Sequence, residues 1–231
     1  LAGVDLWDSG WPTGRYYYND LPITALWGSK HIPISFHFDR FLNDAAAGTL
    51  PNVSYVDPRF IGEGDATAND DHPACDLRAG DAFLSQVFHA LAKGPGWKNT
   101  VLIINYDEWG GFYDHVPPPF APVTDAEAAL GNDGRLGCRV PCVIIGPRAR
   151  RGHVEHTQFD PNSILNMIAW RFGFAPLGAR ADSNNIAHAL DFSSAPKTDT
   201  PTFNVAAGPF GGLCLPLATL LDIAGIPLPV P

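Results

Sequence analysis

Two adjacent carboxylates, Asp107 and Glu108, follow the apolar run Thr100-Val-Leu-Ile-Ile-Asn105 and precede Trp109-Gly-Gly-Phe-Tyr-Asp-His-Val-Pro-Pro-Pro119. Paired carboxylates at a strand exit can present oxygens to a divalent cation when the turn lets both side chains converge. Gly110 and Gly111 supply the backbone freedom, positive φ or close approach, that such a turn requires. Asp114-His115 adds a second candidate ligand or acid/base pair. A lone Asp-Glu pair reads most simply as an acidic surface turn. The buried strand before this one, with the Gly-Gly and aromatic-His-Pro stretch after it, points to a metal or catalytic role.

Two further clusters carry chemistry-bearing residues. Gly62-Glu-Gly-Asp-Ala-Thr-Ala-Asn-Asp-Asp-His-Pro73 has loop composition, with His72 fixed before a rigid proline. Its alternating Asp65, Thr67, Asn69 and Asp71 resemble a calcium loop only in spacing. Asp70 occupies the required glycine position and Asp76 the final glutamate position, which excludes an EF-hand. Arg148-Ala-Arg-Arg-Gly-His-Val-Glu-His156 offers His153 and His156 to a metal and its arginines to phosphate, with a solvated basic loop as the alternative for the arginines. Ser163 falls inside a helix signal and makes a poor nucleophile. No Gly-x-Ser-x-Gly elbow, P-loop or His-Glu-x-x-His motif occurs.

The elements that must position these groups are legible in outline. Asn52–Val56 reads as a short strand closed by Asp57-Pro58. Asp81–Lys93 spaces Phe83, Leu84, Val87, Phe88 and Leu91 as a helix, stopped by Gly94-Pro95-Gly96. Thr100–Asn105 and Val140–Ile145 are continuous apolar runs, suited to strands buried on both faces. Asp160 and Pro161 open a helix through Arg171 as N-cap and first residue, and Gly173 ends it. Buried strands alternating with helices predict an α/β fold, a mostly parallel sheet flanked by helices. The sequence divides into 1–192, which holds every motif, and a Pro/Gly-rich irregular segment, 193–231, packed on it.

Composition narrows the function classes. With 45% hydrophobic and 17% charged residues, the 231-residue chain can build a packed core. A formal net charge of -9 disfavours nonspecific binding to nucleic acid or anionic membrane, and no run reaches bilayer-spanning length. The four cysteines, Cys75, Cys138, Cys142 and Cys214, lack the second close pair of a zinc site and read as structural, with Cys142 buried in its apolar run. Leu1 without an initiator Met implies that the chain begins inside a longer reading frame or after processing.

Taken together, the clusters resemble the bacterial and plant phosphoesterase family that includes nonspecific phospholipases C and a group of acid phosphatases. The resemblance lies in Asn69-Asp-Asp-His-Pro73, Asp107-Glu-Trp-Gly-Gly-Phe-Tyr-Asp-His-Val-Pro117, Arg139-Val-Pro-Cys-Val-Ile-Ile-Gly-Pro147 and His156-Thr-Gln-Phe-Asp-Pro-Asn-Ser163. Weaker similarity reaches back through Ala47–Asp57 and Tyr16–Tyr18. It implies an alkaline-phosphatase-like α/β core and hydrolysis of phosphate esters, with a phospholipid headgroup or a small phosphate ester as substrate. By motif position, Asp107 and Glu108 match metal-site carboxylates for a divalent ion of unspecified identity. His72 matches a phosphate-facing proton donor to the leaving group, with His115 a further catalytic candidate. Gly110, Gly111, Glu155 and His156 fall at substrate-binding or supporting positions. Trp109 stands where many members carry His. Export to the periplasm or secretion is implied by the resemblance alone.

The resemblance also implies an absence. Members carry an N-terminal Glu-Asn pair, an Arg-Ser-Phe-Asp-His stretch and a Ser or Thr nucleophile that have no counterpart here. The expectation is a phosphoesterase core lacking its N-terminal strands, with half a metal site and an exposed sheet edge prone to self-association. Two other classes stay open: an inactive remnant that binds a phosphorylated ligand or partner, and a metal-independent carboxylester hydrolase.

Overall fold

The computed structural model describes residues 13–63, 67–73, 75–176 and 181–206. Asp65, Cys214 and the part of the C-terminal segment beyond Ala206 lie outside them. The described chain forms two compact units, Lys98–Asp199 and Thr13–Trp97 with residues 200–206. No described helix is long and apolar enough to cross a membrane.

The Thr13–Trp97 unit is built on a three-stranded parallel sheet. Strand β1 (Gly14–Tyr18) lies between β2 (Ser35–His37) and β3 (Val53–Val56), with Tyr17 opposite Phe36 on one side and Val56 on the other. Helix α1 (Phe38–Ala47) carries the chain from β2 to β3, the crossover that parallel strands require. Helix α2 (Leu77–Lys93) packs on α1. Phe38 stacks on Phe41 at 5.5 Å and meets Phe83 of α2 at 5.4 Å, while Phe41 sets its edge to Tyr17 at 5.5 Å. These offset and edge contacts are the arrangement that aromatic quadrupoles favour.

One charge sits inside this packing. Asp44, on the buried face of α1, accepts from Tyr17 Oη at 2.8 Å, Arg40 Nε at 2.8 Å, Thr49 Oγ1 at 3.2 Å and the Arg15 guanidinium. Burial pushes the Asp44 carboxyl up, but the donors from Arg40 and Tyr17, the charge of Arg15 and the Thr49 hydroxyl outweigh it and hold it below its ordinary value.

The Lys98–Asp199 unit departs from the expected pairing. Strand β4 (Leu102–Asn105) and β5 (Cys142–Ile145) are neighbours but antiparallel, with Leu102 opposite Ile145 and Asn105 opposite Cys142. A parallel pair needs a crossover, and the only described helix between them is the five-residue α3 (Asp125–Ala129). The ribbon has two strands among the described residues. Cys142 and Val143 are therefore exposed rather than buried on both faces, correcting the expectation of a buried Cys142. Cys75 is buried, and Cys138 and Cys142 are free thiols.

Helix α4 (Pro161–Phe172) matches its sequence signals closely. Asp160 caps it in a reciprocal box with Ser163, Pro161 opens it, and Gly173 ends it at φ 76°. Asn166 donates to the carbonyls of Ala181 and Ser183, tying the helix to the returning chain at 3.1 and 2.7 Å.

Removing the Asp44 carboxylate strands two guanidinium groups and a phenol. Asp44→Ala should cost about 2–3 kcal/mol, below the value for a fully buried pair because Arg40 is half solvated. Urea denaturation followed by tryptophan fluorescence measures it, and a loss under about 0.5 kcal/mol would show that the network contributes little.

Candidate functional site

The connection from β4 to β5 is a laced arm. The ladder continues past the strands as Tyr106 N–H donates to the Pro141 carbonyl at 3.3 Å. Farther out, Leu136 N–H donates to Pro119 O at 2.9 Å and Ala121 N–H to Gly134 O at 2.8 Å, with Phe120 bridged to Arg135 between them. The Arg135 guanidinium lies over the Phe120 ring at 4.3 Å. At the tip, Thr124 and Glu127 close a capping box on α3.

Asp107 and Glu108 bend away from this ladder at its base, and both are exposed. Glu108 Oε2 accepts the Gly110 N–H at 3.0 Å, so one of the two carboxylates is turned back onto its own loop. Gly110 at φ 69° and Gly111 at φ 76° take left-handed conformations, and a Cβ on Gly111 would touch nothing within 4 Å. Backbone conformation, not crowding, is what demands glycine at Gly111. Trp109, Phe112, Tyr113 and His115 all face solvent.

Asp114 ends the bend. Its Oδ1 accepts from Val116 N–H at 3.0 Å and Arg139 Nη2 at 2.7 Å, and its Oδ2 from Arg139 N–H at 3.0 Å and Nε at 2.9 Å. The Arg139 guanidinium, with the Val116 and Arg139 N–H groups, holds the Asp114 carboxyl far below the usual carboxylate range. This corrects the reading of Asp114-His115 as a paired ligand or acid/base group: Asp114 is spent on Arg139. Sequence reasoning gave Arg139 no role, although an Arg placed just ahead of an apolar strand was the available signal.

Glu155 likewise organises its own loop. Its Oε1 accepts from Thr157 Oγ1 at 2.7 Å and N–H at 3.1 Å, and its Oε2 lies 3.4 Å from His153 Nε2 and 3.5 Å from Arg150 Nη1. The Thr157 hydroxyl and N–H, helped by His153, lower the Glu155 carboxyl to about 2. His156 is exposed. Among the described residues, no hydrogen bond or ion pair links Glu155 or His156 to the 107–115 bend. Ser163 is fully buried and its Oγ accepts the Asp160 N–H at 3.0 Å, which leaves it no path to a substrate.

His72 belongs to the Thr13–Trp97 unit. Its N–H donates to Asp70 Oδ1 at 3.1 Å, and its Nδ1 lies 3.1 Å from the Pro73 carbonyl. A carbonyl can only accept, so Nδ1 carries a proton in that bond. Nε2 is 4.0 Å from Glu63 Oε2. The segment is anchored by Asp71, which adopts φ 63° and sets its carboxylate against Gly80 in the first turns of α2, where any side chain would collide with it.

The donor set bears on the implied metal. Among the described residues, no three His, Cys, Asp or Glu side chains cluster closely enough to hold an ion. Asp107 and Glu108 alone are too few for a divalent cation, so these residues do not by themselves make a metal site.

Comparison with known proteins supplies what the geometry leaves open. The Phosphoesterase family matches residues 6–175. The chain belongs to the phosphoesterase family. Within that family it is 39% identical to non-specific phospholipase C1 of Arabidopsis thaliana over 168 residues, 64% of this chain and 31% of that protein. It is 32% identical to non-specific phospholipase C6 of the same plant over 213 residues, 80% of this chain and 40% of that protein. It is 34% identical to phospholipase C B of Mycobacterium tuberculosis over 214 residues, 82% of this chain and 39% of that protein. This phosphoesterase chain therefore spans roughly a third to two fifths of the length of the relatives it matches. The 107–115 bend, Arg139, the Glu155 loop and His72 all lie inside the matched span.

Glu155 gives a pH test. Because its carboxyl is lowered from 4.5 to about 2, the Thr157 turn is favoured above the ordinary glutamate range and is lost only as pH falls through about 2. A carboxyl carbon NMR titration should put the Glu155 midpoint near 2. A midpoint near 4.5 would mean that the turn does not hold the ionised form.

Proposed function

We propose that this chain is the part of a phosphate-ester hydrolase of the phospholipase C type that contributes Asp107 and Glu108 to a divalent-metal site. The observation that carries the reading is the family match over residues 6–175, with the Asp107-Glu108 pair at the exit of β4 on a glycine-permitted bend. The other ligands of the ion are not among the described residues. The substrate class is a phosphate ester, either a phospholipid headgroup linkage or a small phosphate ester. Relatives named as phospholipases C favour the first.

In this reading the chain's own groups have separate tasks. Asp107 and Glu108 bring negative oxygens to the reacting centre. His72, with Nδ1 committed to the Pro73 carbonyl, keeps Nε2 for exchange of a proton. His115 stands on the same loop as the carboxylate pair as a further acid/base group. Gly111 offers its backbone N–H, and Gly110 and Gly111 together allow close approach of the phosphate. Glu155 shapes the loop that presents the exposed His156.

Hydrolysis of a chromogenic phosphomonoester and a phosphocholine diester, with added divalent cation, tests the assignment. Asp107→Asn should lower kcat at least about 100-fold, in line with the several kcal/mol a catalytic ion supplies. Activity that survives both Asp107→Asn and chelator would overturn it, and would favour a metal-independent carboxylester hydrolase if simple carboxyl esters are also cleaved. Folded protein with no turnover would point to ligand binding without catalysis.

We also propose self-association through the β4–β5 ribbon, whose half-exposed Val143 sits on a strand with one unpaired edge among the described residues. Sedimentation equilibrium should show species larger than a monomer. A concentration-independent monomer is the contrary result.

A further inference from the structure

We propose that Asp114 and Arg139 are a positioning pair that fixes the Asp107-Glu108 bend in the geometry catalysis requires. The inference rests on the reading of that bend as part of a phosphoesterase site. It goes beyond that reading in assigning Asp114 and Arg139 a task without contact to substrate or metal.

The loop is held at both of its ends. On one side, Tyr106 N–H is tied to Pro141 O at 3.3 Å. On the other, Asp114 is tied to the backbone and side chain of Arg139. Everything from Asp107 to Tyr113 is thus a closed loop whose two ends are held by residues only two apart on the opposing chain. Closing a loop at both ends removes conformations it would otherwise sample, so less ordering remains when a ligand arrives. Glu108 and Trp109 add internal bonds, to Gly110 N–H and Phe112 N–H at 3.0 and 3.3 Å. Those two are single and exposed. The Asp114 joint is the one that engages both oxygens of a carboxylate.

The chemistry of the joint fits holding and does not fit reacting. Four separate N–H groups already occupy the Asp114 oxygens, which leaves little acceptor capacity for a metal or a travelling proton. The ordinary carboxyl proton is disfavoured there as well. Arg139 presents Nε and Nη2 together, the planar fork that lysine cannot reproduce. Its own N–H joins in, so the residue locks side chain and backbone at once.

The test compares Asp114→Ala, Asp114→Asn and Arg139→Lys in the full chain. Phosphomonoester hydrolysis should fall about 100-fold in kcat for Asp114→Ala, the scale of a slightly misplaced reacting group, with KM changed less than about threefold. Asp114→Asn keeps one carbonyl acceptor, for the Val116 N–H or the Arg139 N–H, and should recover at least about tenfold of that loss. The pH–kcat profile should keep both limbs in every variant. An Asn variant as inactive as the Ala variant, or a lost limb, would make Asp114 a reacting or liganding group and overturn the proposal. Full activity of Asp114→Ala would overturn it too.

Hydrogen exchange separates this outcome from failure of the functional reading. If the parent chain does not turn over substrate, or if Asp114→Ala does not fold, exchange in Arg139→Lys and Asp114→Asn decides. The amides of 107–113 should exchange about tenfold faster than in the parent while those of β4 stay unchanged. Unchanged exchange in the loop would overturn the positioning role whatever the activity.

Discussion

A carboxylate removed from water must be met by donors on every side, and Asp44 shows what meeting that requirement does to a fold. Its four partners come from β1, from α1 itself and from the turn that follows α1. Satisfying one charge therefore fixes where α1 lies across the sheet, because Tyr17 and Arg15 can reach Asp44 only from the central strand. The aromatic packing of Phe38, Phe41 and Phe83 provides the apolar burial, but such packing tolerates sliding. The ion network does not. It sets the register of helix against sheet in the unit that carries His72.

The same logic, moved to the surface, organises the loops of the other unit. Asp114 and Glu155 are acidic residues that a sequence reading naturally offers to a substrate or metal, and in the folded chain each is turned inward to neighbouring N–H and hydroxyl groups. What remains open to solvent on the 107–115 bend is Asp107, Glu108, His115 and the aromatic side chains between them. Acidic residues in a motif thus divide into those that hold the loop and those left exposed on it.

How much of this was legible follows the range of the interactions. Helix α4 could be placed to within a residue because its signals are local: a capping Asp160, a first-turn Pro161 and a terminating Gly173. Helix α2 begins at Leu77 rather than Asp81, because Asp76 caps it and Gly80, a residue that ordinarily weakens a helix, is required by the close approach of Asp71. The α/β class was legible from short apolar runs and helical periodicity in alternation, although neither β4 nor β5 is buried on both faces. The antiparallel pairing of β4 and β5, the network around Asp44 and the partner of Asp114 were not. Each depends on residues far apart in the chain, where no spacing rule connects them.

The arm beyond the bend has a property of its own. The bonds between Pro119 and Leu136 and between Ala121 and Gly134, with the bridge of Phe120 to Arg135, stand between the α3 tip and the Asp114–Arg139 joint. Rungs of this kind act as an insulator: strain introduced at one end is taken up before it reaches the other. The stretch from Pro122 to Asp133 is therefore free to lengthen, shorten or change sequence while the bend keeps its shape. A lineage could remodel what this arm touches without remaking the carboxylate pair at its base.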